Sequence, residues 1–171
     1  MDVETYIDWN INREELKSYS LDEFNNEDGS IYGFMVLKLG EYHLGYLKSD
    51  TGLLEGDEDI SFYVDKLIGC GIAILKGEDY SIRLLHRNLL EVHVTMNNGV
   101  EIEIWNTRIN NTEWKYIIRK SELLAEIRRV YSKYIADVKD INENVLKSIS
   151  FVRTADLYNK FLEIEYESVN N

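Results

Sequence analysis

Polar and apolar residues alternate along two neighbouring stretches in the middle of the chain. The first is LLEVHVTM (89–96) and the second is VEIEIW (100–105), with Asn97-Asn98-Gly99 between them. Alternation with a period of two is typical of strands that bury one face, and an Asn-Gly step is a common hairpin loop. The pattern therefore predicts a β-hairpin.

The length of the loop decides which side chains of this hairpin share a face. A two-residue loop, Asn98-Gly99, would set the apolar residues of the first strand opposite the carboxylates of the second. A three-residue loop over 97–99 gives a wholly apolar face instead, in which Val92, Val94 and Met96 pair with Ile104, Ile102 and Val100. We expect this second register, because one face can then be buried completely. The other face would carry an acidic strip with one imidazole: Glu91, His93, Thr95, Glu101, Glu103 and Trp105.

Similar patterns predict a strand and a short helix at the start of the chain. Residues 3–11 alternate between apolar and polar types, which indicates a half-buried opening strand. Asn12 and Glu15 have the spacing of a capping box, so a short helix should follow. Polar residues at 25–30 then predict a turn.

A second hairpin and a longer helix are expected next. The runs IYGFMVLKL (31–39) and YHLGYLK (42–48) are apolar and flank a Gly40-Glu41 turn. A polar loop should cover 50–57. From Asp57 the apolar spacing becomes helical, and we expect this helix to end at Gly69 or Gly71.

The rest of the chain predicts further strands and then long helices. We expect strands at IAILK (72–76), YSIRLLH (80–86) and WKYIIRK (114–120), with NTRINNTE (106–113) as a polar loop. The segment ELLAEIRRVYSKYIADV (122–138) is amphipathic with helical spacing, and Ser121 is its expected N-cap. The remaining apolar residues predict one or two more helices: Ile141, Val145, Ile149, Leu157, Phe161 and Ile164.

These elements together predict one α+β domain over residues 1–171. It should consist mainly of an antiparallel sheet of about six to eight strands covered by helices, with the long helices in the C-terminal third. The N-terminus lacks the pattern of a signal peptide, and no apolar run reaches the roughly 18 residues that span a bilayer. We therefore expect a cytoplasmic protein without membrane contact.

The formal net charge of −12 is distributed unevenly. Residues 1–70 hold 16 acidic against 5 basic residues, whereas residues 71–171 hold 15 against 14. Such acidity disfavours direct nucleic-acid binding and favours a basic protein partner, although it also serves solubility. The residues that we expect at a partner-binding surface belong to two N-terminal segments and to the acidic strip of the hairpin: Asp22, Glu23, Glu27, Asp28, Glu55, Asp57, Glu58, Asp59, Glu91, His93, Glu101 and Glu103.

The sequence contains no motif for catalysis or cofactor binding. His43, His86 and His93 fall on different predicted strands, so a metal site would require tertiary convergence. The ten glycines form no phosphate-binding loop, and the acidic segments lack the spacing of a calcium loop. The lone cysteine, Cys70, should be a buried and inert thiol. We therefore expect no catalytic residue, no metal and no cofactor.

In the favoured register His93 faces Glu103, either as a surface ion pair or as a pH-sensitive contact.

Four segments carry a resemblance to a known class of proteins: the hairpin FMVLKLGEYHLGYL, the helix DISFYVDKLIGCG, the hairpin VHVTMNNGVEIEIW and the long helix after KYIIRKS. With the strong acidity and the absence of a catalytic motif, this layout resembles bacterial immunity proteins of the polymorphic-toxin or contact-dependent growth inhibition type. The resemblance covers most of the chain and is one of architecture. It implies a small cytosolic domain that binds a cognate toxin, often a basic nuclease, and it assigns no site residue.

Two other functions are consistent with the same sequence. One is an interaction domain of another kind, either phage-encoded or housekeeping. The other is a small hydrolase that uses paired carboxylates. The 31 acidic residues permit many such pairs, but their spacing singles out none of them.

Overall fold

The computed structural model describes residues 5–45, 58–83, 90–97 and 99–170. Within these ranges the chain forms eight strands, which pair antiparallel in two sheets, together with five α-helices. The α+β class is confirmed, and the long helices lie in the C-terminal part as predicted. The strands, however, divide between two sheets instead of forming one meander.

The first sheet is built around β2 (Tyr32–Leu39). β1 (Thr5–Ile11) pairs along one of its edges, while β3 (Tyr42–Gly45) and the two-residue β4 (Glu58–Asp59) pair along the other. The predicted opening strand and second hairpin are thus confirmed over the described residues. The predicted loop at 50–57 lies outside them.

Two short helices separate β1 from β2. α1 (Arg13–Ser18) begins after Asn12, whose side chain accepts a hydrogen bond from the backbone N–H of Glu15 at 3.4 Å, as the capping pattern predicted. α2 (Leu21–Asn26) was not predicted, and the expected turn at 25–30 is wrong for its first two residues. The helix forms there because a complete capping box links Ser20 and Glu23.

The second sheet contains four strands in chain order: β5 (Tyr80–Arg83), β6 (Leu90–Asn97), β7 (Gly99–Asn106) and β8 (Asn111–Ile118). Val94 lies opposite Ile102, which confirms the predicted register. The connection is shorter than expected, because Asn97 and Gly99 pair with each other. The predicted loop at 106–113 is wrong for its first residue, which ends β7, and for its last three residues, which belong to β8.

Two long helices follow the second sheet. α4 (Lys120–Asn142) starts after Arg119, so the predicted N-cap at Ser121 is wrong. The helix starts closer to the N-terminus than predicted because the Glu122 carboxylate accepts a hydrogen bond from the backbone N–H of Arg119 at 3.4 Å. A 3-10 turn (Glu143–Lys147) leads into α5 (Ile149–Asn170).

α3 (Ile60–Lys76) passes through both glycines at which we expected it to end. The predicted strand at 72–76 is therefore wrong. A Cβ on Gly71 would lie 2.8 Å from Phe161 Cε2 and 3.0 Å from Ile127 Cδ1, so glycine permits close contact with α5 and α4. This packing offsets the roughly 1 kcal/mol that glycine costs inside a helix.

The buried apolar residues of both sheets and of the long helices form one hydrophobic cluster, which includes Ile7, Ile68, Val92, Ile127 and Phe161. Cys70 is buried, as expected, and this burial raises the pKa of its thiol to about 12. Ile149, one of the apolar residues from which we predicted the C-terminal helices, is instead 76% exposed.

Side chains of α4 complete the outer edge of β1. The backbone N–H of Ile7 donates to Glu126 Oε1 at 3.0 Å, and the Ile7 carbonyl accepts from Arg129 Nη2 at 2.6 Å. Further along the strand, the Trp9 indole N–H donates to Asp137 Oδ2 at 2.9 Å. The helix thus satisfies backbone groups that another strand would otherwise bind.

Candidate functional site

The residues between α2 and β2 form an acidic segment that lines two clefts. We call residues 27–30 together with Asp59 the acidic ridge. One cleft, of about 480 Å³, lies between the ridge and α1 and is lined by Glu15, Tyr19, Phe24 and Tyr32. The other, of about 400 Å³, lies between the ridge, α3 and α5, and its lining includes Ser61, Asp65, Tyr134, Arg153 and Thr154.

Neutral donors hold the carboxylates of the ridge. The Tyr19 hydroxyl donates to Glu27 Oε2 at 2.9 Å, and the Tyr32 hydroxyl donates to Asp28 Oδ2 at 2.7 Å. The hydrogen bonds to these carboxylates raise the pKa of Tyr19 and of Tyr32 to about 12. Asp28 Oδ1 also accepts from the backbone N–H of Ser30 at 2.9 Å.

Asp59 lies at the base of the ridge and is the N-cap of α3. Its carboxylate accepts from the backbone N–H of Phe62 at 2.9 Å and from the Ser30 hydroxyl at 3.1 Å. Burial raises the pKa of this carboxyl, and the negative charges of Asp28 and Asp65 act in the same direction. Within the described part of the chain, none of Glu27, Asp28 and Asp59 forms a salt bridge.

A buried hydrogen-bond relay fixes the ridge to α4. The Ser61 hydroxyl accepts from the backbone N–H of Ile31 at 2.8 Å and lies 2.8 Å from the hydroxyl of Tyr134. Tyr134 is buried and stacks on Phe151, with 5.3 Å between the ring centroids. The ridge is therefore supported by a rigid aromatic core.

The other acidic residues of the N-terminal segments are distributed differently. Asp22 and Glu23 are exposed on α2, where the Ser20 hydroxyl lowers the pKa of Glu23. Glu58 is only 7% exposed, so its side chain does not contribute to the surface that we predicted for it. Glu55 and Asp57 lie outside the described residues.

Basic side chains form salt bridges with the acidic strip on the outer face of the second sheet. We call this face the paired face. Arg83 Nη2 lies 3.0 Å from Glu91 Oε1, and Lys115 Nζ lies 3.1 Å from Glu101 and 3.5 Å from Glu103. Glu103 also accepts a hydrogen bond from the Thr112 hydroxyl, which lowers its pKa. Each predicted glutamate of this strip thus has a basic partner.

His93 lies across from Glu103, as predicted, but its hydrogen bond is made to Glu91. The two atoms, His93 Nε2 and Glu91 Oε2, are 3.0 Å apart. The His93 bond, followed by that of Arg83, lowers the pKa of Glu91. The imidazole also stacks on Trp105, with 6.0 Å between ring centroids. The imidazole thus contacts both a carboxylate and an aromatic ring.

The sequence pattern did not identify several residues that contact the carboxylates of the ridge and of the paired face. Tyr19 and Tyr32 contact the ridge through turns, so their spacing from Glu27 and Asp28 carries no motif. The position of Lys115 could have been predicted. If the strand WKYIIRK is paired with the strand VEIEIW, Lys115 lies opposite Glu103.

The described ranges contain no group of three or more His, Cys, Asp or Glu side chains arranged to hold a metal ion. None of their helices combines the length and the apolar character that crossing a bilayer requires. The ridge presents carboxylates that accept hydrogen bonds from neutral donors, and such groups can bind a cationic group. Comparison of the chain with protein-family models, with curated proteins and with solved structures finds no match.

Proposed function

We propose that this chain is a non-catalytic protein-binding domain that acts as an immunity protein: it neutralises a basic toxin by binding it through the acidic ridge. The observation that carries the proposal is the state of the ridge carboxylates. Among the residues that the structure describes, Glu27, Asp28 and Asp59 accept hydrogen bonds only from neutral groups, so their charge remains available to a cationic partner.

The energetics of association favour the ridge over the paired face. A partner lysine or arginine that approached Glu91 would compete with Arg83 and His93, which already contact this carboxylate, so the net gain from the new contact would be smaller. At the ridge, the described ranges contain no ion pair that a partner would have to break. The acidic N-terminal half of the chain should also accelerate encounter with a basic protein by electrostatic steering.

The hydrogen bonds of the ridge also reduce the entropic cost of binding. Tyr19, Tyr32 and the backbone of Ser30 fix the carboxylates before a partner arrives. Fewer side-chain rotamers are then lost in the complex, which increases affinity for a given set of contacts.

The first experiment compares two double charge reversals against a partner captured from the native strain. The C-terminal domain encoded by the upstream gene is the first partner to test. We expect Glu27→Lys with Asp28→Lys to slow association at least about tenfold at low salt, with a smaller change in dissociation. Glu78→Lys with Glu143→Lys changes the net charge equally at exposed sites elsewhere, and we expect less than about a twofold change.

The same partner then tests the immunity function in cells. Its expression alone should arrest growth, and co-expression of the wild-type chain, but not of the ridge variant, should restore growth. Equal association rates for both double variants, or rates independent of salt, would contradict the ridge as the binding surface. A captured basic protein without toxicity would assign an interaction domain of another kind.

A further inference from the structure

The outer side of α5 exposes four large apolar side chains. Ile149 is 76% exposed, Val152 52%, Leu162 38% and Tyr166 73%. α4 is of similar length, yet no large apolar side chain along it is exposed to this degree. Its exposed positions carry small or charged residues instead: Ser121, Ala125, Arg129, Ser132, Ala136, Lys139 and Asp140.

These four residues form one stripe along the helix. At 3.6 residues per turn their positions fall within an arc of about 140°. Ala155 and Asn159 lie within the same arc. The exposed Asp156 and Glu163 lie toward its Ile149 edge, whereas Phe161 points toward the hydrophobic cluster. α5 therefore has a second, partly apolar side in addition to the one that faces the core.

The stripe is symmetric under reversal of the helix direction. Its residues are arranged as two apolar positions, a centre with Ala155 and Asn159, and two apolar positions again. If a second α5 lies antiparallel across this centre, Ile149 meets Tyr166 of the other copy and Val152 meets Leu162. A two-fold interface requires a surface that is complementary to itself, and this stripe has that property.

Charge supports the same pairing. Asp156 and Lys160 flank the centre of the stripe, both are exposed, and neither forms a salt bridge in the part of the chain that the structure describes. In the antiparallel arrangement Lys160 of one copy faces Asp156 of the other, and the symmetry repeats this contact. We infer that the outer side of α5 is a homodimer interface, in which two copies of this chain pair their α5 helices antiparallel.

The size of the surface sets the strength of the dimer. A helix of 22 residues is about 33 Å long, and one pair of such helices lies at the low end of interface sizes. The dimer should therefore be reversible. Each chain carries a net charge of −12, so pairing is best measured at about 0.15 M salt or above, where long-range repulsion is screened. The inference does not rest on the proposed function.

Sedimentation equilibrium of the full chain tests the dimer. We expect the mass to rise with concentration from 20.1 kDa toward twice that value. Leu162→Glu should increase the dissociation constant at least about tenfold, because it brings a charge against apolar side chains. Ile109→Glu, at a 61% exposed turn position outside α5, should leave it unchanged.

A charge swap tests the orientation of the helices. Asp156→Lys alone and Lys160→Glu alone should each weaken the dimer at least about threefold, and the double variant should restore it. Circular dichroism and thermal unfolding confirm that each variant folds. A single-chain mass up to about 1 mM would overturn the inference, as would a dimer that Leu162→Glu leaves intact. Failure of the double variant to restore pairing would overturn the antiparallel arrangement. Loss of partner capture by Leu162→Glu without any dimer would assign the stripe to the partner instead.

Discussion

The acidic ridge and the paired face use the same chemical group but hold its charge in different ways. On the ridge, hydroxyl and backbone N–H groups donate to Asp28 and Asp59. On the paired face, Arg83 and Lys115 sit against the glutamates. Acidic composition alone therefore does not identify a binding surface. The relevant property is whether the fold already supplies the counter-charge.

The pKa shifts of one carboxyl from each region have opposite directions. Burial raises the pKa of Asp59, whereas hydrogen bonds from His93 and Arg83 lower that of Glu91. A charge on Asp59 thus opposes folding, while a charge on Glu91 supports it. A surface that retains such an unfavourable charge gains more from a cationic partner than a surface that has already neutralised it.

The largest expected effect comes from the support of the ridge. Ser61→Ala should lower the free energy of unfolding by about 2 kcal/mol, because it leaves the buried N–H of Ile31 and the hydroxyl of Tyr134 without their partner. Urea unfolding measures the change. Ser81→Ala, at an exposed serine of β5, is the matched control and should stay within about 0.5 kcal/mol of the wild type. If Ser61→Ala also stayed within about 0.5 kcal/mol of the wild type, the relay would not support the ridge.

The next effect concerns the hairpin that aligns the paired face. Gly99 has φ +147°, and a Cβ there would lie 3.4 Å from Ile117 Cγ2. Gly99→Ala should therefore cost about 1 kcal/mol or more in thermal or urea unfolding. Asn110→Gly is the opposite control: Asn110 has φ +50°, so glycine should be tolerated without loss. NOEs between Val94 and Ile102 should persist in both variants, and a neutral Gly99→Ala would contradict the strained conformation.

The smallest effect is the pH dependence of one carboxyl from each region. Glu91 has a lowered pKa, so its contribution is present above pH 4.5 and is lost as the pH falls through the lowered value. Asp59 has a raised pKa, so its contribution is present below pH 3.8 and is lost as the pH rises through the raised value. Each substitution should therefore change the pH profile in its own direction.

Urea unfolding between pH 7 and about 3.5 checks both signs. Lowering the pH should shrink the destabilisation by Glu91→Gln, which we expect to stay below about 1 kcal/mol at this solvent-contacting pair. Asp59→Asn retains the N-cap acceptor, and raising the pH should shift its stability upward relative to the wild type. Shifts of the same sign in both variants would remove the distinction between the two regions.

Local patterns were sufficient where a strand buries alternate residues. The register of β6 and β7 followed from the apolar residues alone, since a slip by one residue would have exposed Val92 and Val94. The end of α3 could not be found in this way. Phe161, 90 positions later in the chain, occupies the space that a side chain at position 71 would need, so glycine is required there inside the helix. No local pattern contains that contact.

The candidate site was predictable in composition but not in detail. Glu58 and Asp59 are neighbours with the same charge, yet one is buried and the other caps a helix at the surface of a cleft. Their roles depend on how β4 meets β2, which is a tertiary contact. The pairing of Glu103 with Lys115 likewise depends on the position of β8, whose first residues we had assigned to a loop.

The closure of the β1 edge by α4 has a consequence for protein synthesis. Ile7 is translated 119 residues before Glu126, which accepts the hydrogen bond from its N–H. At elongation rates of about 5–20 residues per second, the nascent chain carries β1 with an open edge for roughly 6–24 s. During that interval β1 can pair with strands of neighbouring nascent chains. The interval ends when Glu126 and Arg129 emerge, so we expect slower translation and denser polysomes to favour pairing of β1 between neighbouring chains.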